Sequence, residues 1–161
     1  MKRHCETTGQ HRRIRPCPHP SHHNIPSPMT NTPPTVPHTT HLTHNGEDTY
    51  AGTHLIIDLH NAQNLNNRTH IEQALRDATK ATGATLLSLH SHHFSPQGVT
   101  AMAILAESHI SCHTWPEIGF AAFDIFMCGD TDPHAAIPVL KAAFATDDIH
   151  VKELHRGQLR R

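Results

Sequence analysis

The stretch GVTAMAILAESHISCHTWPEIGFAAFDIFMCG, residues 98–129, decides the fold of this chain. It contains an apolar run at 99–107 and a second apolar run at 119–128, and both have the length and composition of core strands. The segment between them, AESHISCHTWPEIG, carries carboxylates, hydroxyls, a thiol and two imidazoles. A connection that only joins two strands needs Gly, Asn or Asp and little else. This crowding of reactive side chains at a bend between two core strands predicts a functional site.

Outward from this stretch, the sequence patterns predict two helices and three further strands. Apolar residues between Ile71 and Ala78 recur with helical spacing. Thr69 and Glu72 have the spacing of a capping box at the start of that helix. Asp132, followed by a proline, is typical of a second helix start. The predicted elements are strands at 53–59, 84–94 and 149–154, and helices at 69–83 and from 132 onward.

The resulting order, β-α-β-β-β-α-β, indicates an α+β fold. We expect a two-layer α/β sandwich in which a mainly antiparallel sheet carries both helices on one face. The predicted strands are apolar on both sides, so the face without helices needs a cover. Because residues 50–161 contain no further predicted element, we expect a homodimer that packs through this side of the sheet.

The first 49 residues have a different composition from the rest of the chain. They are rich in Pro, His, Thr, Ser and Asn and show neither helical nor strand periodicity. Such a segment buries too little apolar surface to offset its chain entropy. We therefore expect a disordered tail at 1–49 and one domain at 50–161. The histidines of the tail leave open a second interpretation, a non-enzymatic His-rich metal-binding module.

Charge and hydropathy restrict the partners and the compartment. The formal net charge of −1 gives no basic field for binding nucleic acid. The sequence contains no apolar run of membrane-spanning length and no apolar core of a secretory signal. Its four cysteines form no CxxC pair, which is typical of a reducing compartment rather than of a disulfide framework. We therefore expect a cytoplasmic protein that binds neither nucleic acid nor membranes.

Two familiar kinds of site fit the residue types in the central segment poorly. A hydrolase would place its serine in G-x-S-x-G before a helix, whereas Ser108 lies between Glu107 and His109. A zinc site would use His109 and His113, which on an extended segment lie about 13 Å apart, too far for one metal. We therefore predict no metal site here. Buried polar residues that satisfy one another at a tight bend remain a further alternative.

The segment at 106–129 resembles the signature of the prokaryotic S-adenosylmethionine decarboxylases, pyruvoyl-dependent enzymes that serve spermidine synthesis. The resemblance is carried by Glu-Ser-His at 107–109, His-Thr-Trp-Pro-Glu at 113–117 and Cys-Gly at 128–129. The outlying blocks GTHLIIDLHNA, HHFSPQGVTA and VKELHRG are also similar to that family. The resemblance covers residues 50–157.

This resemblance implies a proenzyme that cleaves itself between Glu107 and Ser108 and converts Ser108 into a pyruvoyl group. That covalent cofactor would form a Schiff base with the substrate amine and accept the electrons released as CO₂ leaves. The resemblance further implies His113 as the base of self-cleavage and Cys128 as the proton donor in decarboxylation. Thr100 stands where the family usually has serine, and it implies a hydroxyl that assists processing.

Four further residues are implied to bind the substrate. Phe94 and Trp115 would stack on adenine or meet the sulfonium. Glu117 would hold the ribose hydroxyls, and Asp58 would contact the substrate across the dimer. Some relatives with the same maturation chemistry decarboxylate arginine or ornithine, which remains the alternative function. The presence of Trp115 and Glu117 favours S-adenosylmethionine.

Overall fold

The computed structural model of the protein describes residues 41–46 and 48–159. Short 3-10 turns cover Pro116–Ile118 and Pro133–Ala135. The strands are β1 Thr43–Asn45, β2 Asp48–Tyr50, β3 Gly52–Leu59, β4 Leu86–His93, β5 Val99–Leu105, β6 Ser108–Trp115, β7 Phe120–Met127 and β8 Ile149–Arg156; the α-helices are α1 Arg68–Ala81 and α2 Ala136–Ala143.

One antiparallel sheet organises the domain, with strand order β4-β5-β6-β7-β3-β8. Alternate residues along each strand point to one face, where they form an apolar core with the buried sides of the two helices. This arrangement confirms the expected two-layer α+β sandwich. No helix among the described residues is long and apolar enough to cross a membrane.

Polar side chains cap the start of α1 and the turn that leads into α2, and the first of these caps differs from the prediction. The start of α1 is capped by Asn67, whose side chain accepts a hydrogen bond from the His70 backbone N–H at 3.1 Å. The capping box predicted at Thr69 and Glu72 is therefore wrong, because the N-cap residue lies two positions earlier than Thr69. Asp132 caps the turn that leads into α2, as expected, by accepting from the His134 N–H at 2.9 Å.

The largest correction concerns the segment predicted as a bend, which is mostly a strand. In β6, Ser108 and Cys112 face the core, whereas His109 and His113 point to the opposite face. Some of the inward positions hold small polar residues. The sequence therefore does not show the alternation of apolar and polar residues that is typical of a strand. The true bend contracts to residues 106–107, since Leu105 of β5 pairs directly with Ser108 of β6.

A hairpin precedes the main sheet where we expected disordered chain. Strands β1 and β2 pair antiparallel, with Thr43 opposite Tyr50. Residues 48–49 of β2 and the whole of β1 therefore belong to the folded part, and the predicted boundary at residue 50 falls inside a strand. The rest of the predicted tail, residues 1–40 and 47, lies outside the described residues.

The face of the sheet that carries no helix is only partly polar. Three large apolar side chains of its strands, Ile56, Met102 and Ile104, are between 36% and 44% exposed. We call this surface the open face. It also carries a row of four residues that pair across neighbouring strands. In order, these are Thr100 of β5, His113 of β6, Ala122 of β7 and Asp58 of β3.

Candidate active site

The Glu107–Ser108 peptide lies in the two-residue turn of the β5–β6 hairpin. Glu107 has φ +71°, a left-handed conformation that costs a non-glycine residue about 1–2 kcal/mol. Ala106 anchors the turn by donating its N–H to the Thr85 carbonyl at 2.9 Å. The expected tight bend at the cleavage bond is thus present, although it is much shorter than predicted.

Ser108 is buried at the start of β6, on the core side of the sheet. Its Oγ accepts a hydrogen bond from the Cys128 backbone N–H at 3.2 Å. The end of β7 therefore lies directly beside the hydroxyl that follows the strained turn. Three of the predicted site residues, Glu107, Ser108 and Cys128, are brought together here.

The environment of Cys128 keeps its thiol protonated. Partial burial raises the pKa of this thiol, the hydrogen bond with Ser108 opposes that rise, and the negative charge of Glu107 adds to it. At neutral pH the side chain therefore carries a proton that it can donate. Its backbone is fixed as well, because the Thr131 hydroxyl donates to the Cys128 carbonyl at 2.9 Å.

Gly52 is a site residue that sequence reasoning missed. A Cβ at this position would lie 2.3 Å from the Met127 carbonyl oxygen and 3.1 Å from the Cys128 sulfur. Only glycine lets β3 approach the end of β7 this closely. The GTHLI block contains this glycine, but only the tertiary structure shows what it packs against.

A second cluster lies near the other end of β6. The Thr100 hydroxyl and His113 Nδ1 are 2.7 Å apart, on directly paired positions of β5 and β6. This hydrogen bond links the two side chains predicted to serve self-cleavage. We refer to the pair as the Thr100–His113 dyad.

The dyad borders a cavity of about 260 Å³ that opens beside Trp115. Gln97, another residue that sequence reasoning missed, donates a hydrogen bond to the Glu117 carboxylate at 3.1 Å and so orients it. The lining residues are Phe94, Gln97, Gly98, Val99, Thr100, His113, Thr114, Trp115 and Glu117. Three of the four predicted substrate-binding residues therefore meet in one place.

The fourth, Asp58, lies apart from that cavity. It is half-buried on β3 and pairs with Ala122, which separates it from His113 in the same row of the open face. The structure therefore places Asp58 on the same surface as the dyad but two strands away.

Within one chain, the two clusters are separated. Ser108 and His113 are five residues apart on an extended strand, which corresponds to about 16 Å. An odd spacing also places them on opposite faces of the sheet. The single chain therefore does not bring the predicted processing base to the serine.

Histidines near the predicted cleavage bond form a further group on the open face. His54 bonds Asp124 at 3.1 Å, and its other ring nitrogen lies 3.2 Å from the Arg156 guanidinium. Burial lowers the pKa of the neighbouring His109, as does the nearby His54, while Asp124 opposes them. Among the described residues, no group of three or more His, Cys, Asp or Glu side chains is placed to hold a metal ion.

Comparison with known proteins identifies one family across the sheet domain. The model of the S-adenosylmethionine decarboxylase family matches residues 53–157. The S-adenosylmethionine decarboxylase proenzyme of Methanococcus aeolicus is 47% identical over 113 residues, covering 68% of this chain and 97% of the relative. The proenzyme of the same name from Thermomicrobium roseum is 46% identical over 110 residues, covering 67% of this chain and 95% of the relative.

A solved structure shows the same likeness in three dimensions. The crystal structure of the adenosylmethionine decarboxylase from Aquifex aeolicus superposes with a TM-score of 0.61 at 32% sequence identity. The superposition covers 68% of this chain and 92% of that one. Sequence and fold therefore point to the same relatives.

Proposed function

Because this chain belongs to the S-adenosylmethionine decarboxylase family, we propose that it matures by cutting its own backbone between Glu107 and Ser108. The chain is a decarboxylase of that family, a lyase made as a proenzyme that acts on S-adenosylmethionine for polyamine synthesis. The observation that carries the proposed cleavage site is the strained Glu107 turn with the Ser108 hydroxyl held beside it. Such a turn presses a nucleophile toward the carbonyl that precedes it.

The cleavage needs no outside reagent except water. The Ser108 oxygen attacks the Glu107 carbonyl carbon, and the C–N bond breaks, which turns the amide into an ester. A base then removes the Ser108 α-proton, and the Glu107 carboxylate leaves as the ester C–O bond breaks. The remaining dehydroalanine takes up water and releases ammonia, so residue 108 becomes a pyruvoyl group.

The surroundings of Ser108 suit that group. The Cys128 N–H, which donates to the Ser108 oxygen, is placed to hold an oxygen on residue 108. When present, a pyruvoyl group accepts the electrons that are released as the substrate carboxyl group leaves as CO₂. Cys128 keeps a protonated thiol close by, and we assign to it the proton that replaces CO₂ on the substrate.

The position of the Thr100–His113 dyad supports a homodimer. The dyad cannot reach Ser108 of its own chain, yet it lies on the open face together with exposed Ile56, Met102 and Ile104. A two-fold axis that lies between two open faces and runs perpendicular to the strands would bring opposite ends of the two sheets together. We therefore assign the dyad of one protomer to the scissile turn of its partner, where His113 would act as the base.

The cavity beside the dyad is the proposed substrate pocket. Phe94 and Trp115 are 47% and 39% exposed, which leaves their ring faces available for stacking on a nucleobase. Glu117, oriented by Gln97, supplies a carboxylate for the ribose hydroxyls. Asp58 lies on the same open face, and we assign it a contact with the substrate across the dimer.

An intact-mass spectrum of the purified full-length protein tests the self-cleavage. Wild type should yield residues 1–107 and residues 108–161, and the second fragment should begin with a ketone that reacts with hydroxylamine. Ser108→Ala should remain one chain because it lacks the nucleophile, whereas Ser111→Ala, three residues further along β6, should be cleaved. A wild-type protein that stays full-length would refute the proposal.

A substrate comparison tests the pocket. We expect CO₂ release from S-adenosylmethionine and none from arginine or ornithine. Trp115→Ala and Glu117→Gln should each weaken substrate binding by about 1–3 kcal/mol, since each removes a stacking or hydrogen-bonding partner. Release from a basic amino acid, but not from the nucleoside, would show that the pocket is assigned to the wrong substrate.

A further inference from the structure

The β1–β2 hairpin lies outside the region that the family model matches, which starts at residue 53. It is nevertheless fixed on the domain. The Tyr50 ring is buried and stacks on the His155 ring, with centroids 4.2 Å apart. The Leu159 N–H donates to the Thr49 carbonyl at 3.0 Å, so the residues that follow β8 hold the hairpin from a second side.

From this anchor the hairpin and His41, two residues before β1, reach the scissile turn and the loop beside it. The His41 ring contacts the Glu107 carboxylate through Nδ1 and Oε2. The Thr43 hydroxyl donates to the Gly129 carbonyl at 3.4 Å, next to Cys128. The hairpin therefore connects the residue before the cleaved bond with the loop that carries the proposed proton donor.

The contact with Glu107 matters because that residue is in an unfavourable conformation. A non-glycine residue at φ +71° tends to relax to negative φ unless its surroundings hold it. An anchored side chain restricts this relaxation. It thereby keeps the Glu107 carbonyl close to the Ser108 hydroxyl.

We propose that the β1–β2 hairpin holds the scissile turn in its cleavable conformation, and that His41 is a positioning residue acting through Glu107. This inference rests on the proposed self-cleavage between Glu107 and Ser108. It assigns a role in maturation to a segment that precedes the family's matched region.

The test is the first-order rate of self-cleavage in the full-length chain. Protein made by cell-free translation is quenched in acid at intervals, and the uncleaved fraction is read from intact mass. His41→Ala should slow cleavage about fivefold, the factor that about 1 kcal/mol makes in a rate for a half-exposed ion pair. His41→Gln keeps a hydrogen-bond donor and should recover most of the rate.

The matched control is His44→Ala, on the same hairpin. The His44 ring bonds the Thr49 hydroxyl at 3.0 Å, within the hairpin, so this variant should be cleaved at the wild-type rate. Melting temperatures in a Ser108→Ala background, which cannot be cleaved, should be equal for His41 and His41→Ala. A lower melting temperature with slow cleavage in both alanine variants would mean general destabilisation and would overturn the role of His41.

The outcomes separate this inference from the proposal beneath it. A wild-type chain that is not cleaved would refute the proposed self-cleavage on which this inference rests. A wild-type chain that is cleaved at the same rate as His41→Ala overturns only the positioning role. Equal slowing by His41→Gln and His41→Ala would also overturn it, because the hydrogen-bond donor that glutamine restores would then have no effect.

Discussion

The thiols of Cys112 and Cys128 differ in burial and in what surrounds them. Cys112 is fully buried in the core, where burial raises its pKa to about 12 and leaves it chemically inert. Cys128 is half-buried at the end of β7, beside Ser108 and Glu107. Both thiols are protonated at neutral pH, but only Cys128 lies beside the proposed cleavage site.

Replacement of Cys128 by alanine should separate maturation from catalysis. We expect Cys128→Ala to be cleaved, since cleavage uses the Ser108 hydroxyl and a base elsewhere. Its turnover should fall by roughly 10²–10⁴, the usual effect of losing a positioned proton donor. The measurement is kcat for each cleaved chain, with S-adenosylmethionine as substrate.

Cys112→Ala is the comparison for that experiment. It should lower stability, because it removes a buried sulfur from the core, while each folded molecule keeps its turnover. Wild-type turnover in Cys128→Ala would show that the thiol is only a packing residue at a strand end.

At the scale of the element, the β5–β6 hairpin carries both halves of the proposed chemistry. Its turn holds the scissile bond, and its open end holds the Thr100–His113 dyad. Direct pairing of Thr100 with His113 sets their 2.7 Å contact through the strand register. A shift of one residue would turn one partner to the opposite face.

The hydroxyl of Thr100 should matter more than its methyl group. Thr100→Val keeps the shape of the side chain but leaves His113 without its hydrogen-bond partner, so self-cleavage should slow at least tenfold. Thr100→Ser restores the hydroxyl and should be cleaved at about the wild-type rate. Cleavage rates from intact mass decide this, and fast cleavage of Thr100→Val would remove the hydroxyl from the mechanism.

At the scale of the whole molecule, the separation of Ser108 from His113 is the main constraint. The two residues lie on opposite faces of one strand, about 16 Å apart. One copy of the chain therefore does not bring the two proposed processing groups together. The exposed apolar residues of the open face give a second copy a surface on which to pack.

Mixing two inactive variants tests whether the site is shared between copies. His113→Ala keeps Ser108 but lacks the base, and Ser108→Ala keeps the base but lacks the nucleophile. When the two are coexpressed with different tags, the His113→Ala chain should be cleaved, because its partner supplies the dyad. Cleavage of neither chain would place both groups within one protomer.

Light scattering on the same samples measures the oligomeric state. We expect a dimer for Ser108→Ala, since this change leaves the open face intact. A monomer that is nevertheless cleaved would contradict the shared site.

Much of the fold follows from local patterns. The apolar runs at 99–107 and 119–128 predicted β5 and β7, and helical spacing from Ile71 to Ala78 predicted α1. The motif at 107–117 identified the family, which the comparisons confirm. These features are visible in sequence because short-range periodicity and residue chemistry determine them.

Other features depend on contacts between distant residues. β6 was missed because small polar residues occupy several of its buried positions. The Thr114 hydroxyl, for example, donates to the distant Leu65 carbonyl at 2.7 Å and accepts from the Val99 N–H at 2.8 Å. The β1–β2 hairpin forms on anchors supplied by β8 and the residues that follow it. Neither contact leaves a periodic signal in the sequence.

The sequence by itself indicated which residues are candidates for the proposed chemistry, because a hydroxyl, an imidazole and a thiol have their reactivity wherever they stand. Which of these side chains contact one another depends on the tertiary structure. Strand pairing placed Cys128 beside Ser108 and Thr100 beside His113, and the alternation along β6 turned the two pairs to opposite faces. Separation in sequence does not predict these contacts, because the register between strands is set by the packing of the whole sheet.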